Sequence, residues 1–526
     1  MQSCSQPCAR ADAGGRYGDT VEEMVAAVFT SFLTPSVFEG VTARHLCVFY
    51  RQLGDFGRDR IAFIGEHAYF TPPAVLHESG RPEWQPSWRA VYGYEPPADL
   101  RGVRTHVLPD DLLSRRLRRV RSSWTLYRLL ARRPLAELES AVGEALDTLS
   151  THEPIEAALL FINNPSVQRS AAARGIPVVH NEFGPLRPPQ FVMTGYWDRT
   201  GVSLKSEAAR RYAAFRTERV RNRLPLLERD EILCVLRRDA GVPPRLDNRP
   251  TYRVGLALQG EDNARIQGIG ALDLLSMARQ RHRADELCVR YHTGSLARYP
   301  ASVGVADDSA TTTAFIARCE TVLTVSSGTA LEALLFGRRA VVVGDSPFAI
   351  AAYRDLDPDS PGPDDQLEAL NFLVFGYLVP GDLMFDADYV RWRLSNPSEE
   401  AIYRRHLRWY RARLDAAPVA ADAPSVLRAA ATLASVELDE SEAVAVFGAG
   451  AASAGLVGRL AARRRVVAVF DNDATTWGRR IGTAPVMAPA YLPGVAVAVA
   501  SITHGGAMTH QLRQLGYPPE RITRLR

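Results

Sequence analysis

Two carboxylates and two amides stand close together in Gln259-Gly260-Glu261-Asp262-Asn263, directly after the apolar run Tyr252–Leu258. A carboxylate at the end of a buried strand can attack an activated carbon, and neighbouring amides can hold it in place by hydrogen bonds. The plainer alternative is a solvated acidic turn. Thr324-Val-Ser326-Ser327-Gly328, running into a helical pattern through Glu332 to Gly337, offers a second kind of chemistry. Backbone N–H groups and two hydroxyls at a strand-to-helix junction suit a phosphate, and Glu332 is spaced to accept from ribose hydroxyls. Its alternative is an ordinary serine N-cap with Glu332 facing solvent. Arg290-Tyr291-His292 closes the run Leu287–His292 and could present a guanidinium and an imidazole to a diphosphate-like or carboxylate group. His180-Asn181-Glu182 to Arg187 follows Ile176–Val179. There Glu182 takes a position suited to a cleft and Arg187 could steer an acidic sugar, with loop anchoring as the alternative.

These residues need elements to position them. Short apolar runs alternate with helical patterns through most of the 526 residues, which is the signature of α/β folds with parallel sheets. In the first half, strands are expected at His45–Tyr50, Ile61–Ile64, Ala157–Ile162 and Ile176–Val179. Helices are expected at Val21–Leu33, Leu112–Leu130 and Leu135–Leu149. The Pro-rich stretch Gly241–Pro250 reads as a linker, followed by strands at Tyr252–Leu258, Leu287–His292, Thr321–Val325 and Ala340–Val343. A second break falls at Ala416–Pro424. The expected division is therefore an N-terminal acceptor-side unit over 1–240, a donor-binding unit over 251–415 and a small accessory unit over 440–526, each Rossmann-like.

In the last unit, Gly448-x-Gly450 and Gly455 leave G-x-G-x-x-G incomplete because position 453 is Ser, while Asp471 stands about 20 residues further on. A structural or docking module is preferred there over cofactor binding. The arginine-dense stretches Arg115–Arg133 and Arg210–Arg223 read as solvated faces that could also guide an anionic substrate.

Hydrophobic residues make up 46% and charged residues 23%, which excludes disordered, collagen-like and coiled-coil classes. The net charge of +4 argues against a dedicated nucleic-acid binder. Of the 63 lysines and arginines only Lys205 is a lysine, and arginine is the residue suited to bidentate carboxylate and phosphate capture. The six cysteines have neither metal-ligand spacing nor a disulfide pattern. The expectation is a cytoplasmic protein without a leader or membrane span, with peripheral contact at the inner membrane through its basic stretches.

Taken in order, these motifs resemble the retaining β-Kdo transferases of bacterial capsule and O-antigen (lipopolysaccharide) assembly. The first element is Glu182-Phe-Gly-Pro-Leu-Arg187, followed by Asp198-Arg-Thr-Gly201-Val202. Gln259-Gly-Glu-Asp262-Asn263-Ala-Arg-Ile266 is similar to a Gln-x-Glu-Asp-Asp-Ala-Ser-Ile motif, with Asn263 at the second Asp. Arg290-Tyr291-His292-Thr293 matches a Lys/Arg-Pro-His-Pro element without its prolines, and Thr324 through Gly337 matches the last motif.

The resemblance implies a GT-B-like pair of Rossmann-type domains facing a cleft and CMP-Kdo as donor substrate, with no separate cofactor and no metal. It implies Asp262 as nucleophile and Glu182 as acid/base. Gln259, Arg290, His292, Ser326, Ser327, Gly328 and Glu332 would hold the donor, and Arg187 and Asn263 the acceptor or the sugar carboxylate. The partners implied are a nucleotide-sugar and an anionic or lipid-linked glycan. Two alternatives stay open: a non-catalytic sugar-nucleotide-binding or scaffold protein of a glycan cluster, to which Asn263 and the extra domain point, and a GT-B transferase with another nucleotide-sugar donor.

Overall fold

The computed structural model describes residues 28–33, 43–73, 75, 89, 91–109, 111–113, 123–202, 204–238, 246, 249–259, 267–292, 298–416, 443–450, 453–461, 465–501 and 504–524. Three parallel sheets organise the chain. The first holds β1 (Val28–Phe32), β2 (Ile61–Glu66), β3 (Arg104–Leu108), β4 (Ile155–Leu160) and β5 (Val178–His180), in the order β3-β2-β1-β4-β5. A short strand, β6 (Thr194–Tyr196), lies outside it.

The second sheet holds β7 (Tyr252–Ala257), β8 (Leu287–Arg290), β9 (Val305–Ala306), β10 (Cys319–Thr324) and β11 (Arg339–Val342), in the order β11-β10-β7-β8-β9. After β12 (Leu378–Pro380) comes the third sheet. It holds β13 (Ala443–Phe447), β14 (Val466–Phe470), an antiparallel edge strand β15 (Arg480–Ile481), β16 (Ala484–Met487), β17 (Val495–Val499) and β18 (Ile522–Arg524), in the order β15-β16-β14-β13-β17-β18.

In each sheet the first strand lies inside and the chain doubles back across it, which opens a crevice at the carboxyl ends of β1 and β4, of β7 and β10, and of β13 and β17. The expected α/β class, with a GT-B-like pair of Rossmann-type sheets and a small third one, is present.

Three expected elements are corrected. His45–Tyr50 lies in a helix, Ala43–Phe56, not a strand. Five consecutive apolar residues there conceal the helical spacing of Leu46, Phe49, Leu53 and Phe56, all of which are buried. Conversely, Val28–Phe32 is a strand inside the expected helix Val21–Leu33. It sits between β2 and β4 with all five residues buried, so its run is continuous rather than alternating. The helix expected over Leu112–Leu130 occupies Ser123–Arg132, and Leu112 and Leu113 lie in a turn before it.

Packing also divides the chain differently from the expected segments. The helices Ala208–Asn222 and Arg229–Leu236 bury Phe215, Ile232 and Leu233 in one core with Leu331, Leu334 and Phe372. After the second sheet the chain returns to the first half. There β12 pairs antiparallel with β6, and Phe385, Tyr389 and Val390 join Phe29, Phe49 and Phe63 in one core. The chain therefore crosses between the halves more than once, and most of the expected linker at Gly241–Pro250 falls outside the described residues.

The arginines of 210–223 are only partly a solvated face. Arg211 is buried and pairs bidentately with Glu399 at 2.7 and 2.9 Å, while Arg216 and Arg219 converge on buried Glu368. Most of the run Arg115–Arg133 before Ser123 lies outside the described residues. The four described cysteines, Cys47, Cys234, Cys288 and Cys319, are buried thiols.

Candidate active site

The crevice of the second sheet opens between the carboxyl ends of β7 and β10. These neighbours are tied together by Thr324, whose hydroxyl donates to the Ala257 carbonyl at 3.0 Å. One step further out, the Gln259 side-chain oxygen accepts from the Ser326 N–H at 3.1 Å and from its hydroxyl at 3.2 Å. Gln259 and Ser326 thus lock the two strand ends into one rigid rim. Ser327 turns inward on its own loop, donating to the Thr329 hydroxyl at 3.1 Å and accepting from the Thr329 N–H at 3.3 Å.

The helix Thr329–Leu335 is capped by Gly328, which has no side chain. The serine alternative is met only in part: Gly328 takes the cap position, while the Ser327 hydroxyl accepts from the first N–H of the helix. Residues 260–266 lie outside the described residues, and with them the proposed nucleophile Asp262 and its neighbour Asn263.

Gly328 is required by close approach. A Cβ there would stand 2.2 Å from Cβ of Pro185, in the Glu182–Arg187 loop of the first half. That loop is held by backbone pairing with β6: the Tyr196 N–H donates to the Glu182 carbonyl at 2.7 Å and the Gly184 N–H to the Thr194 carbonyl at 2.7 Å. Glu182 is half-buried there. Arg187 donates to the carbonyls of Gly184 (2.6 Å) and Phe183 (3.0 Å) and to the Tyr92 hydroxyl (3.2 Å). It holds its loop in shape, as the loop-anchoring alternative expects, while keeping a positive charge at the cleft.

Glu332 does not face solvent. It is 8% exposed, and its Oε2 is buried without a hydrogen-bond partner. Burial pushes its carboxyl up to about 8, against the opposing pull of Arg290 and Arg187. Those two arginines, one from each half, therefore share the field around one buried acid. Arg290 is itself held by buried Asp307 at 2.5 Å and by the Ser309 carbonyl at 3.2 Å. His292, two residues beyond the strand end, is exposed. The structure thus gathers Gln259, Ser326, Ser327, Gly328, Glu332, Arg290 and the Glu182–Arg187 loop, and leaves His292 at the surface.

Asp198, in the second matched motif, is fully buried. Its carboxylate accepts from the N–H groups of Thr200, Gly201 and Glu207 and from the Tyr377 hydroxyl (all 2.8–3.1 Å), which ties the first half to the returning chain. Burial holds neighbouring His180 down to about 4, so it stays neutral near pH 7. Asp307 and Tyr92 escaped the sequence reading because nothing in their local patterns marks them as partners of Arg290 and Arg187. Among the described residues no cluster of three or more His, Cys, Asp or Glu could hold a metal ion, and no helix is long and apolar enough to cross a membrane.

Residues 31–207, about a third of the chain, match the Glycosyltransferase 99 family N-terminal domain. The match supports a glycosyltransferase. No curated protein matches. Among solved structures, the beta Kdo 2,7 transferase of Thermosulfurimonas dismutans KpsC is 15% identical with a TM-score of 0.32, over 48% of this chain and 89% of that one. Its beta Kdo 2,4 transferase is 14% identical with a TM-score of 0.27, over 41% and 78%. Os79 from O. sativa, in complex with UDP, is 13% identical with a TM-score of 0.28, over 72% and 99%.

Proposed function

We propose that this chain is a retaining glycosyltransferase that moves Kdo or a related acidic sugar from a CMP-sugar to an anionic or lipid-linked surface glycan. The observation that carries this reading is the meeting of Pro185 with Gly328, which brings the Glu182–Arg187 loop onto the rim of a parallel-sheet crevice. The family match over the first half supports it. In this reading CMP lies along Ser326 to Glu332, with its ribose against Glu332. Arg290 and Arg187 face the phosphate and the sugar carboxylate.

The reaction is a double displacement. The Asp262 carboxylate forms a bond to the anomeric carbon as the bond to the CMP phosphate oxygen breaks and CMP departs with that electron pair. The acceptor hydroxyl then attacks the same carbon, gives its proton to Glu182, and releases Asp262. Two inversions leave the configuration retained. The protein would act in the cytoplasm and meet lipid-linked acceptors at the inner membrane.

The chain itself favours one rival, because Asn263 replaces a second carboxylate with an amide that is no comparable nucleophile. In that reading the protein binds a sugar-nucleotide without turning it over. Incubation with CMP-Kdo followed by intact-protein mass spectrometry separates the two. A Kdo adduct that disappears in Asp262→Ala supports transfer, whereas CMP binding with neither adduct nor product supports the binding protein.

A further inference from the structure

A second concave surface is built from elements that contribute nothing to the crevice rim. Leu383, Trp392, Arg404, Arg405, Arg408 and Trp409 line a groove of about 610 Å³. Trp392 packs against the core of the first half and Trp409 against that of the second, so the groove runs along the seam between them.

Its charges are unbalanced. Arg404 is neutralised by Glu400 at 2.7 Å, but Arg405 and Arg408 have no carboxylate partner among the described residues. Three of the nearby acids are already engaged. Glu399 pairs with Arg211 at 2.7 Å, Asp388 with Arg391 at 3.4 Å, and Asp386 caps the helix Ala387–Leu394 through the Tyr389 N–H. Asp382 lies 4.0 Å from Arg51. The Arg405 guanidinium carbon lies over the Trp392 ring at 4.4 Å and over the Tyr389 ring at 5.2 Å from the centroids, which holds this cation at the groove.

We infer that this groove binds an acidic oligosaccharide, a chain of carboxylate-bearing sugars, outside the crevice. The half-buried Trp409 indole offers an apolar surface to a sugar ring, and guanidinium groups take carboxylates in bidentate pairs. Such a chain supplies both complements at once. An anionic bilayer fits less well, because membrane-surface elements present their aromatic side chains outward along one helix face. Here both indoles are half-buried within a concavity. The inference does not rest on the donor assignment, and failure of CMP to bind would leave it standing.

The test is titration calorimetry on the full chain with a galacturonic acid hexamer, with maltohexaose as the neutral control. The acidic hexamer should bind, and binding should weaken as NaCl rises from about 50 to about 500 mM. Arg408→Gln and Arg405→Gln should each reduce its affinity by about fivefold or more while leaving CMP affinity unchanged. Arg408 is exposed, so its substitution tests the groove without threatening the fold. Equal binding of maltohexaose overturns the inference, as does unchanged affinity in both variants. So does loss of binding in Arg290→Ala instead, which would place the sugar in the crevice, or binding to phosphatidylglycerol vesicles alone, which would make the surface a membrane contact.

Discussion

The five parallel strands of the third sheet follow the same order as the five of the second, yet the two crevices are finished differently. At the mouth of the third sheet, Gly448 takes a left-handed conformation (φ 114°) and the Asp471 carboxylate accepts from the N–H groups of Ala449 and Asp473. Both oxygens of the acid at the ribose position are spent on backbone N–H groups of two neighbouring loops. At the mouth of the second sheet, Glu332 keeps a buried oxygen without a partner, and Gly328 is pressed against another part of the chain. A shared topology supplies only a place. What distinguishes a site prepared for a ligand is polar capacity that the fold has left unused.

The widest separation between the two sheets should come from Asp262. If the second crevice performs the proposed chemistry, Asp262→Ala should lose transfer by about 10³-fold or more while still binding CMP. Asp471→Ala should transfer at the wild-type rate. If Asp262→Ala turns over normally, or Asn263→Asp awakens an inert wild type, the proposed mechanism fails.

Gly328→Ala comes next. The new Cβ collides with Pro185 and should cost about 1–3 kcal/mol of stability, read by chemical denaturation. Transfer should fall with it because the two halves are pushed apart at the rim. A stability and rate equal to wild type would show that the contact is incidental.

Glu332 sharpens the comparison through protons. A ribose hydroxyl donating to it would favour the ionised form, lower its raised pKa and release a proton on CMP binding near pH 7. Calorimetry in two buffers of different ionisation enthalpy reads that release, and Glu332→Gln should abolish it. Without ligand, the folded chain holds this proton between about 4.5 and about 8 while the unfolded chain gives it up. Stability should therefore fall as pH rises through that window, and the slope should flatten in Glu332→Gln. The smallest effect belongs to Gly450→Ala, where a Cβ meets nothing within 4 Å; denaturation should place it within about 0.5 kcal/mol of wild type.

The sequence was most informative where a strand runs straight into a polar turn. Gln259, Arg290 and Ser326 were placed at strand ends by their apolar runs alone, and they lie there. Continuous burial blurred the rest. Val28–Phe32 and Leu46–Tyr50 are five-residue stretches buried at every position, one a central strand and the other part of a helix, and so short a continuously buried stretch shows no period. Whether Glu332 faced solvent or the interior was equally hidden, because the Pro185 loop lies nearly 150 residues away in sequence. Which core a segment joins is hidden for a related reason: a Pro-rich stretch marks a break in local structure, not the place where side chains change cores.

The returning chain has a consequence for synthesis. Phe29 and Phe49 share a core with Phe385 and Tyr389, so β1 waits for some of the last residues before the third sheet. On the ribosome, the first half must hold an incomplete apolar face until the residues after β12 emerge, since contacts of such sequence separation close late. A nascent or truncated chain ending before β12 therefore leaves the apolar side chains that meet Phe385, Tyr389 and Val390 uncovered.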